Sequence, residues 1–345
     1  MSVNVGILGF AHSHVNAYCN RWRQDAPMSV RVVAGWDHNA TRLDAAREDH
    51  GVEPAESPDD LLGRDDVDAV VVAAETSLHA ELVERAAAAG KAIVLQKPMA
   101  LTMEQADRIV AAVRASGVPL TMAWQMRVDP QNVKMKQLLA GGQFGRLLMV
   151  RRRHGLSTHV WPNFEQSWHV DPDYNRDIWA DDASHPIDFI YWLLGTPASV
   201  TAELGSLLNP KVPNDHGIAI FRYGEGVFAE VSCSFTCVAA EGTTEILCEK
   251  GTIVQSYGDG PSTNVPRPDG AVGLKWFLHE TGQWTESGIP TPAGHGERIA
   301  ALAGPLAEFL QGRREAIATA EEGREALRMV LACYESAEAG RRVTL

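Results

Sequence analysis

The 345-residue chain is 22% charged and 45% hydrophobic, with a formal net charge of −13. This mixture excludes a disordered chain, and no apolar run approaches the roughly 18 to 20 residues of a membrane-spanning helix. The acidic balance excludes general nucleic-acid binding, which needs clustered Lys and Arg, but leaves room for an anionic cofactor, which responds to local charge.

At roughly 150 residues per domain, the length predicts two domains. Val3–Leu8 reads as a buried strand at the very start of the chain, with no basic segment and no cleavable apolar stretch before it. A cytoplasmic protein is the expectation. The odd number of cysteines agrees: Cys19, Cys233, Cys237, Cys248 and Cys333 read as structural thiols. Cys233 and Cys237 have strand spacing and lack a second pair to complete a zinc site. We expect no metal.

The first 120 residues alternate short apolar runs with helical patterns. The runs are Val3–Leu8, Val30–Trp36, Ala69–Ala73, Ala92–Leu95 and Pro119–Ala123. The helical stretches are Ala40–His50, His79–Ala89 and Met103–Ser116. Continuous apolar strands between helices predict a doubly wound parallel sheet covered on both faces. After about residue 125 the texture changes. Arg146–His154, Ser199–Leu208, Gly217–Tyr223, Gly226–Phe235 and Glu245–Glu249 read as strands. Helical patterns fall at Asn132–Ala140, Pro186–Leu194, Glu297–Gln311 and Glu321–Ala339, and Gly258–Pro268 reads as a surface loop. This half predicts an α+β domain with a largely antiparallel sheet. The boundary is placed at residue 122, giving 1–122 and 123–345.

Gly9-Phe10-Ala11-His12-Ser13-His14 lies where the first strand hands over to a helix. That is the place of a G-x-G-x-x-G dinucleotide turn, here with only its first glycine. The helix start offers N–H groups to an anion, and Ser13 is an additional donor. Asp37 ends the second strand, where an acid accepts hydrogen bonds from a ribose and repels a 2′-phosphate. Read otherwise, it caps the next helix. The pair favours NAD over NADP, although Arg42 stands near enough to serve NADP. Lys97 follows the strand Ala92–Leu95, at the end where such sheets collect ligands. In Asp181-Asp182-Ala183-Ser184-His185-Pro186-Ile187-Asp188, His185 stands at a helix start with Asp181 four residues before it. A neutral imidazole accepts a hydroxyl proton near pH 7, and a carboxylate orients it. The alternative is a capping acid and a packed polar histidine. Trp161, Trp168 and Trp179 precede this motif, either as core or as apolar faces for a sugar ring.

These segments together resemble the glucose–fructose oxidoreductase, inositol dehydrogenase and rhizopine-catabolism (Gfo/Idh/MocA) family along essentially the whole chain. Ser77-Leu78-His79-Ala80-Glu81, Gly90–Pro98, Gln125-Met126-Arg127 with Pro130, Asp181-x-Ala183-x-His185-x-x-Asp188 and the ending Tyr334–Val343 all look like its motifs, in order. The resemblance implies a Rossmann domain followed by a domain with a large open sheet that mediates homodimers or homotetramers. It implies NAD(P)-dependent hydride transfer at a hydroxyl carbon of a sugar, cyclitol or related polyol. By position, Lys97 matches the catalytic lysine, His185 the proton-exchanging histidine and Asp181 the aspartate that holds substrate. The resemblance puts Gly9, Phe10, Ala11, His12, Ser13, His14, Asp37, His38, Ala74, Glu75, His79, Gln96, Lys97 and Gln125 around the cofactor. Lys97, Gln125, Arg127, Trp168, Trp179, Asp181 and His185 would meet the substrate. The departures are Ala11 and His14 for glycines, Ala74-Glu75 for Thr-Pro, Gln96 for the family's Glu and Ala183 for a Gly. Two other readings remain: NAD-dependent glycoside cleavage by transient oxidation, and a cofactor-binding regulator without turnover.

Overall fold

The computed structural model describes residues 2–345, which divide into two compact units. Unit 1 holds the residues up to Gln125, with Pro172–Arg176 and Ile299–Leu327; unit 2 holds Met126–Asp171, Asp177–Arg298 and Arg328–Leu345.

Unit 1 is built on six parallel strands: β1 (Val3–Leu8), β2 (Val30–Trp36), β3 (Glu53–Pro54), β4 (Ala69–Val72), β5 (Ala92–Leu95) and β6 (Leu120–Met122). Their order is β3-β2-β1-β4-β5-β6. The chain runs outward from β1 to one edge, then returns to lay β4 on its other side. The carboxyl ends of β1 and β4 therefore flank the switch point where such sheets bind ligands. All four residues of β4 are buried, which explains why these strands read as unbroken apolar runs. The two-residue β3 was not foreseen, because both its residues are exposed and carry no periodic signal.

Five helices connect the strands: α1 (His14–Gln24), α2 (Ala40–His50), α3 (Pro58–Leu62), α4 (His79–Ala88) and α5 (Met103–Ser116). The caps are set locally. Asn39 accepts the Arg42 N–H at 3.2 Å to start α2, and Thr102 accepts the Gln105 N–H at 3.2 Å to start α5.

Unit 2 opens with α6 (Pro130–Ala140) and β7 (Leu147–Gly155), and later supplies α7 (Ser184–Leu194). The strands β8 (Ser199–Gly205), β9 (His216–Arg222), β10 (Phe228–Ser234), β11 (Gly242–Cys248) and β12 (Gly251–Ser256) follow. Then come α8 (Gly260–Asn264), β13 (Leu274–Leu278), β14 (Gln283–Glu286) and α9 (His295–Ala300). The chain closes with α10 (Ala303–Leu310), which belongs to unit 1, then α11 (Ala320–Ala339), which the two units share, and β15 (Val343–Thr344).

The nine-stranded sheet has the order β14-β13-β12-β11-β7-β10-β9-β8-β15. Every neighbouring pair is antiparallel except β7 with β10. Burial alternates along β9 and β10, so one face enters the core. Val150, Phe221, Val231 and Ile253 meet Met135, Ile187, Phe189 and Val330 there. Full burial of each such side chain contributes about 1.5–3 kcal/mol.

Two expectations are corrected. Gly258–Pro268 is not a surface loop throughout: Tyr257–Thr263 is buried and includes all of α8 but its last residue, Asn264. Asp259 accepts the Ser262 N–H at 3.1 Å and forms an ion pair with Arg153 at 2.7 Å, so the buried carboxylate enters the fold with a counter-charge. The single helix expected over Glu297–Gln311 is two, α9 and α10. Pro305 explains the break, since its ring would meet the Ala301 carbonyl in a continuous helix.

Candidate active site

In unit 1, the turn after β1 comes close to the end of β4. Gly9 has φ of +89°, and a Cβ there would lie 2.4 Å from the Ala74 Cα. Only glycine fits, for both conformation and space. The Phe10 N–H donates to Asp37 Oδ2 at 2.7 Å, and the His12 N–H donates to the Ala73 carbonyl at 2.9 Å. Buried His12 meets the His14 ring edge-on, 4.4 Å between centroids. Ser13 occupies the cap position of α1 and makes no side-chain capping bond there. A dinucleotide fits these residues: a close-approach glycine, a helix N-terminus for pyrophosphate, and an acid at the end of β2.

That acid is already engaged. Arg42 donates to Asp37 Oδ2 from Nε at 3.0 Å and to Oδ1 from Nη2 at 2.8 Å. Nη2 also reaches Glu75 Oε1 at 2.7 Å, and His38 Nε2 lies 3.0 Å from Glu75 Oε2. Asp37, His38 and Glu75, all expected at the cofactor, thus form one cluster around Arg42. Burial lowers the Arg42 pKa, and bonding to Asp37 and Glu75 more than offsets it, for a net upward shift.

Lys97 and Gln96 are buried directly after β5. The Gln96 Nε2 donates to the Tyr18 hydroxyl at 3.0 Å, whose pKa is raised by burial. Gln96 Oε1 is buried with no hydrogen-bond partner among the described residues. The Lys97–Pro98 peptide is cis. His79, expected at the cofactor, ties two backbone segments together. Its Nδ1 lies 2.9 Å from the Pro98 carbonyl and its Nε2 3.1 Å from the Ala74 carbonyl. Burial pushes its pKa down. Gln125 is buried at the end of this unit.

In unit 2, a π-helical turn over Trp179–Ala183 runs into α7. Such turns disturb the usual helical spacing and recur at functional sites. Here it carries Asp181 and Asp182 just before His185. Asp181 Oδ2 lies 2.9 Å from His169 Nδ1. The His169 ring stacks on Trp168, 4.0 Å between centroids, and on Phe164 at 6.0 Å. Trp168 thereby helps hold the partner of Asp181.

Asp182, to which the sequence reading gave no role, lies with Oδ1 3.7 Å from His185 Nε2 and Oδ2 2.9 Å from His154 Nε2. His154 stands at the end of β7, 28 residues earlier. Only the third dimension joins these residues, although the doubled acid before His185 was a visible signal.

Two expected substrate contacts have structural surroundings. Trp179 has no exposed surface and packs over Gly217 in the core. Arg127 is buried and makes a two-pronged ion pair with Asp188. Lys97 and Gln125 belong to unit 1, and Arg127, Asp181 and His185 to unit 2.

The family model described as "Oxidoreductase family, NAD-binding Rossmann fold" matches residues 3–124, and "GFO/IDH/MocA C-terminal domain" matches residues 132–254. The 1,5-anhydro-D-fructose reductase of Ensifer adhaerens is 28% identical over 313 residues, 90% of this chain and 89% of its own. Inositol 2-dehydrogenase 2 of Saccharopolyspora erythraea is 29% identical over 240 residues, 67% of this chain and 66% of its own. The solved structure of the WlbA dehydrogenase from Bordetella pertussis, in complex with NADH and UDP-GlcNAcA, aligns with a TM-score of 0.79 at 25% identity, covering 100% of this chain and 99% of that one. With both halves matched in order along the sequence, the chain belongs to the Gfo/Idh/MocA family of oxidoreductases, and its N-terminal part is an NAD-binding Rossmann domain.

Proposed function

We propose that the protein is a dehydrogenase or reductase acting at a hydroxyl carbon of a sugar, cyclitol or related polyol, with NAD ahead of NADP. The observation that carries this reading is the buried Lys97 placed directly after β5 of a dinucleotide-binding sheet. The names of the reductase and dehydrogenase relatives support the substrate class.

Nicotinamide, when bound, supplies the two-electron hydride chemistry. Gly9, the turn after it and the start of α1 would hold the pyrophosphate, and Asp37 would accept from the ribose. His185 takes the hydroxyl proton on oxidation and returns it on reduction, with Asp181 holding the substrate. Lys97 hydrogen-bonds the reacting oxygen and stabilises negative charge that develops on it. Residues 1–122 would serve the cofactor and 123–345 the substrate. Five free cysteines suit a cytoplasmic enzyme. Exposed Ile218 and Ile220 on β9, pointing away from the core, support a homo-oligomer formed through the open sheet face.

The test is a screen of sugars and cyclitols for NADH fluorescence, followed by kinetics of Lys97→Ala and His185→Ala on the best substrate. Both variants are expected to lower kcat by about 10²-fold or more while still binding NAD. Near-normal turnover in either overturns that residue's role.

A further inference from the structure

We infer that Asp182 is a positioning residue for His185 and that His154 fixes Asp182 in this role. The inference rests on reading His185 as the proton acceptor, and it names the group that balances the charge on that ring.

One buried carboxylate is shared between two imidazoles. Asp182 Oδ2 is at hydrogen-bond distance from His154 Nε2, 2.9 Å, and Oδ1 is at ion-pair distance from His185 Nε2, 3.7 Å. The two rings stand 5.9 Å apart and are tilted by 47°. An ionised carboxylate only accepts, so His154 donates from Nε2. His154 Nδ1 is buried and has no hydrogen-bond partner among the described residues. The bond to Asp182 is thus the hydrogen bond that sets this ring's tautomer, and it turns the second carboxylate oxygen towards His185.

The other charges in this neighbourhood have partners of their own. Arg152 of β7 donates to Thr244, Gln255 and the Gly258 carbonyl. Asp259 pairs with Arg153, and Arg298 of α9 pairs with Asp129. Asp181, on the same turn as Asp182, pairs with His169. The pKa of His295 of α9 is pushed down to about 4 by burial and by Arg298, which leaves the ring neutral near pH 7. A proton arriving on His185 Nε2 lies 3.7 Å from the Asp182 carboxylate. An opposite charge at this range favours the imidazolium and raises the basicity of the ring. The same contact limits rotation of the ring, so the nitrogen that meets substrate is held in place.

The experiment compares wild type with Asp182→Asn and His154→Gln in the full-length protein. Three quantities are read: kcat and KM separately, the acid limb of the kcat/KM pH profile, and the titration of His185 by ¹⁵N–¹H NMR, assigned with His185→Asn. Asp182→Asn keeps the shape and removes the charge. It is expected to lower kcat about tenfold with KM little changed, and to move both the acid limb and the His185 titration down by about one pH unit. His154→Gln moves both in the same direction by less. If Asp182→Asn fails to fold, His154→Gln decides by the same titration. An unchanged His185 titration in the folded variants overturns the inference. Turnover that survives in His185→Asn overturns the underlying assignment of His185, and the titration still reports whether Asp182 acts on the ring.

Discussion

Arg127 and Asp188 form a two-pronged ion pair inside unit 2, with Nε to Oδ2 at 2.9 Å and Nη2 to Oδ1 at 2.8 Å. The two residues come from two of the family-like motifs, 61 positions apart. Both side chains are almost wholly buried, at 2% and 0% exposure.

The first prediction follows from that burial. Asp188→Ala removes the two-pronged carboxylate that faces a buried guanidinium, and breaking such a pair costs about 3–5 kcal/mol. Urea unfolding of Asp188→Ala should show a loss of this size. Arg127→Met with Asp188→Leu together should recover most of it, because apolar groups need no counter-charge. If the double variant is as unstable as the single one, the pair matters for something other than mutual neutralisation.

The two motifs that carry this pair were legible in the sequence; the pair itself was not. Strands β1, β2, β4 and β5 showed as apolar runs because both faces of a parallel sheet are covered. The single-residue alternation of unit 2 gave β7 to β11, while β12, β13, β14 and β15 escaped. The last three are short, and β14 and β15 are the two edges of the sheet, so their weak patterns resemble turns. Lys97 was readable because its place follows from its strand. The contacts of Asp182 with His154, and of Arg42 with Asp37 and Glu75, depend on which side chains the fold brings together. Composition marked Gly258–Pro268 as loop-like but did not show its burial, which the bonds of Asp259 decide.

Arg42 yields a prediction about the cofactor. Its guanidinium sits on Asp37 and is tethered by Glu75, so two acids and one base cluster beyond the carboxyl end of β2. A charge-assisted hydrogen bond is worth about 1.5–3 kcal/mol, or about tenfold or more in affinity. Arg42→Ala should weaken NADP binding about tenfold and change NAD binding by less than about threefold. Asp37→Ser should weaken NAD about tenfold and improve NADP. Quenching of tryptophan fluorescence by each dinucleotide measures both. Equal losses for the two cofactors in Arg42→Ala would remove Arg42 from cofactor selection.

His295 makes stability depend on pH in a defined window. Its ordinary pKa is 6.5, and in the fold burial, followed by the nearby Arg298, pushes it down to about 4. Between those values the unfolded chain carries a proton on this ring and the folded chain does not. The unfolded state binds more protons there, so stability falls as pH drops from 6.5 towards 4. Above 6.5 the group has no effect on the slope, and below 4 its contribution is fully lost. The size is on the order of 3 kcal/mol. His79, whose pKa burial also lowers, acts with the same sign. His295→Gln is neutral at every pH and can occupy a similar space. Urea unfolding of wild type and His295→Gln at about pH 7.5 and about pH 4.5 separates this group from the other titrating residues. Wild type should lose more stability on acidification than the variant, by a few kcal/mol. If the two lose the same amount, a proton binds His295 equally well in the folded and unfolded chains, and its burial has no cost.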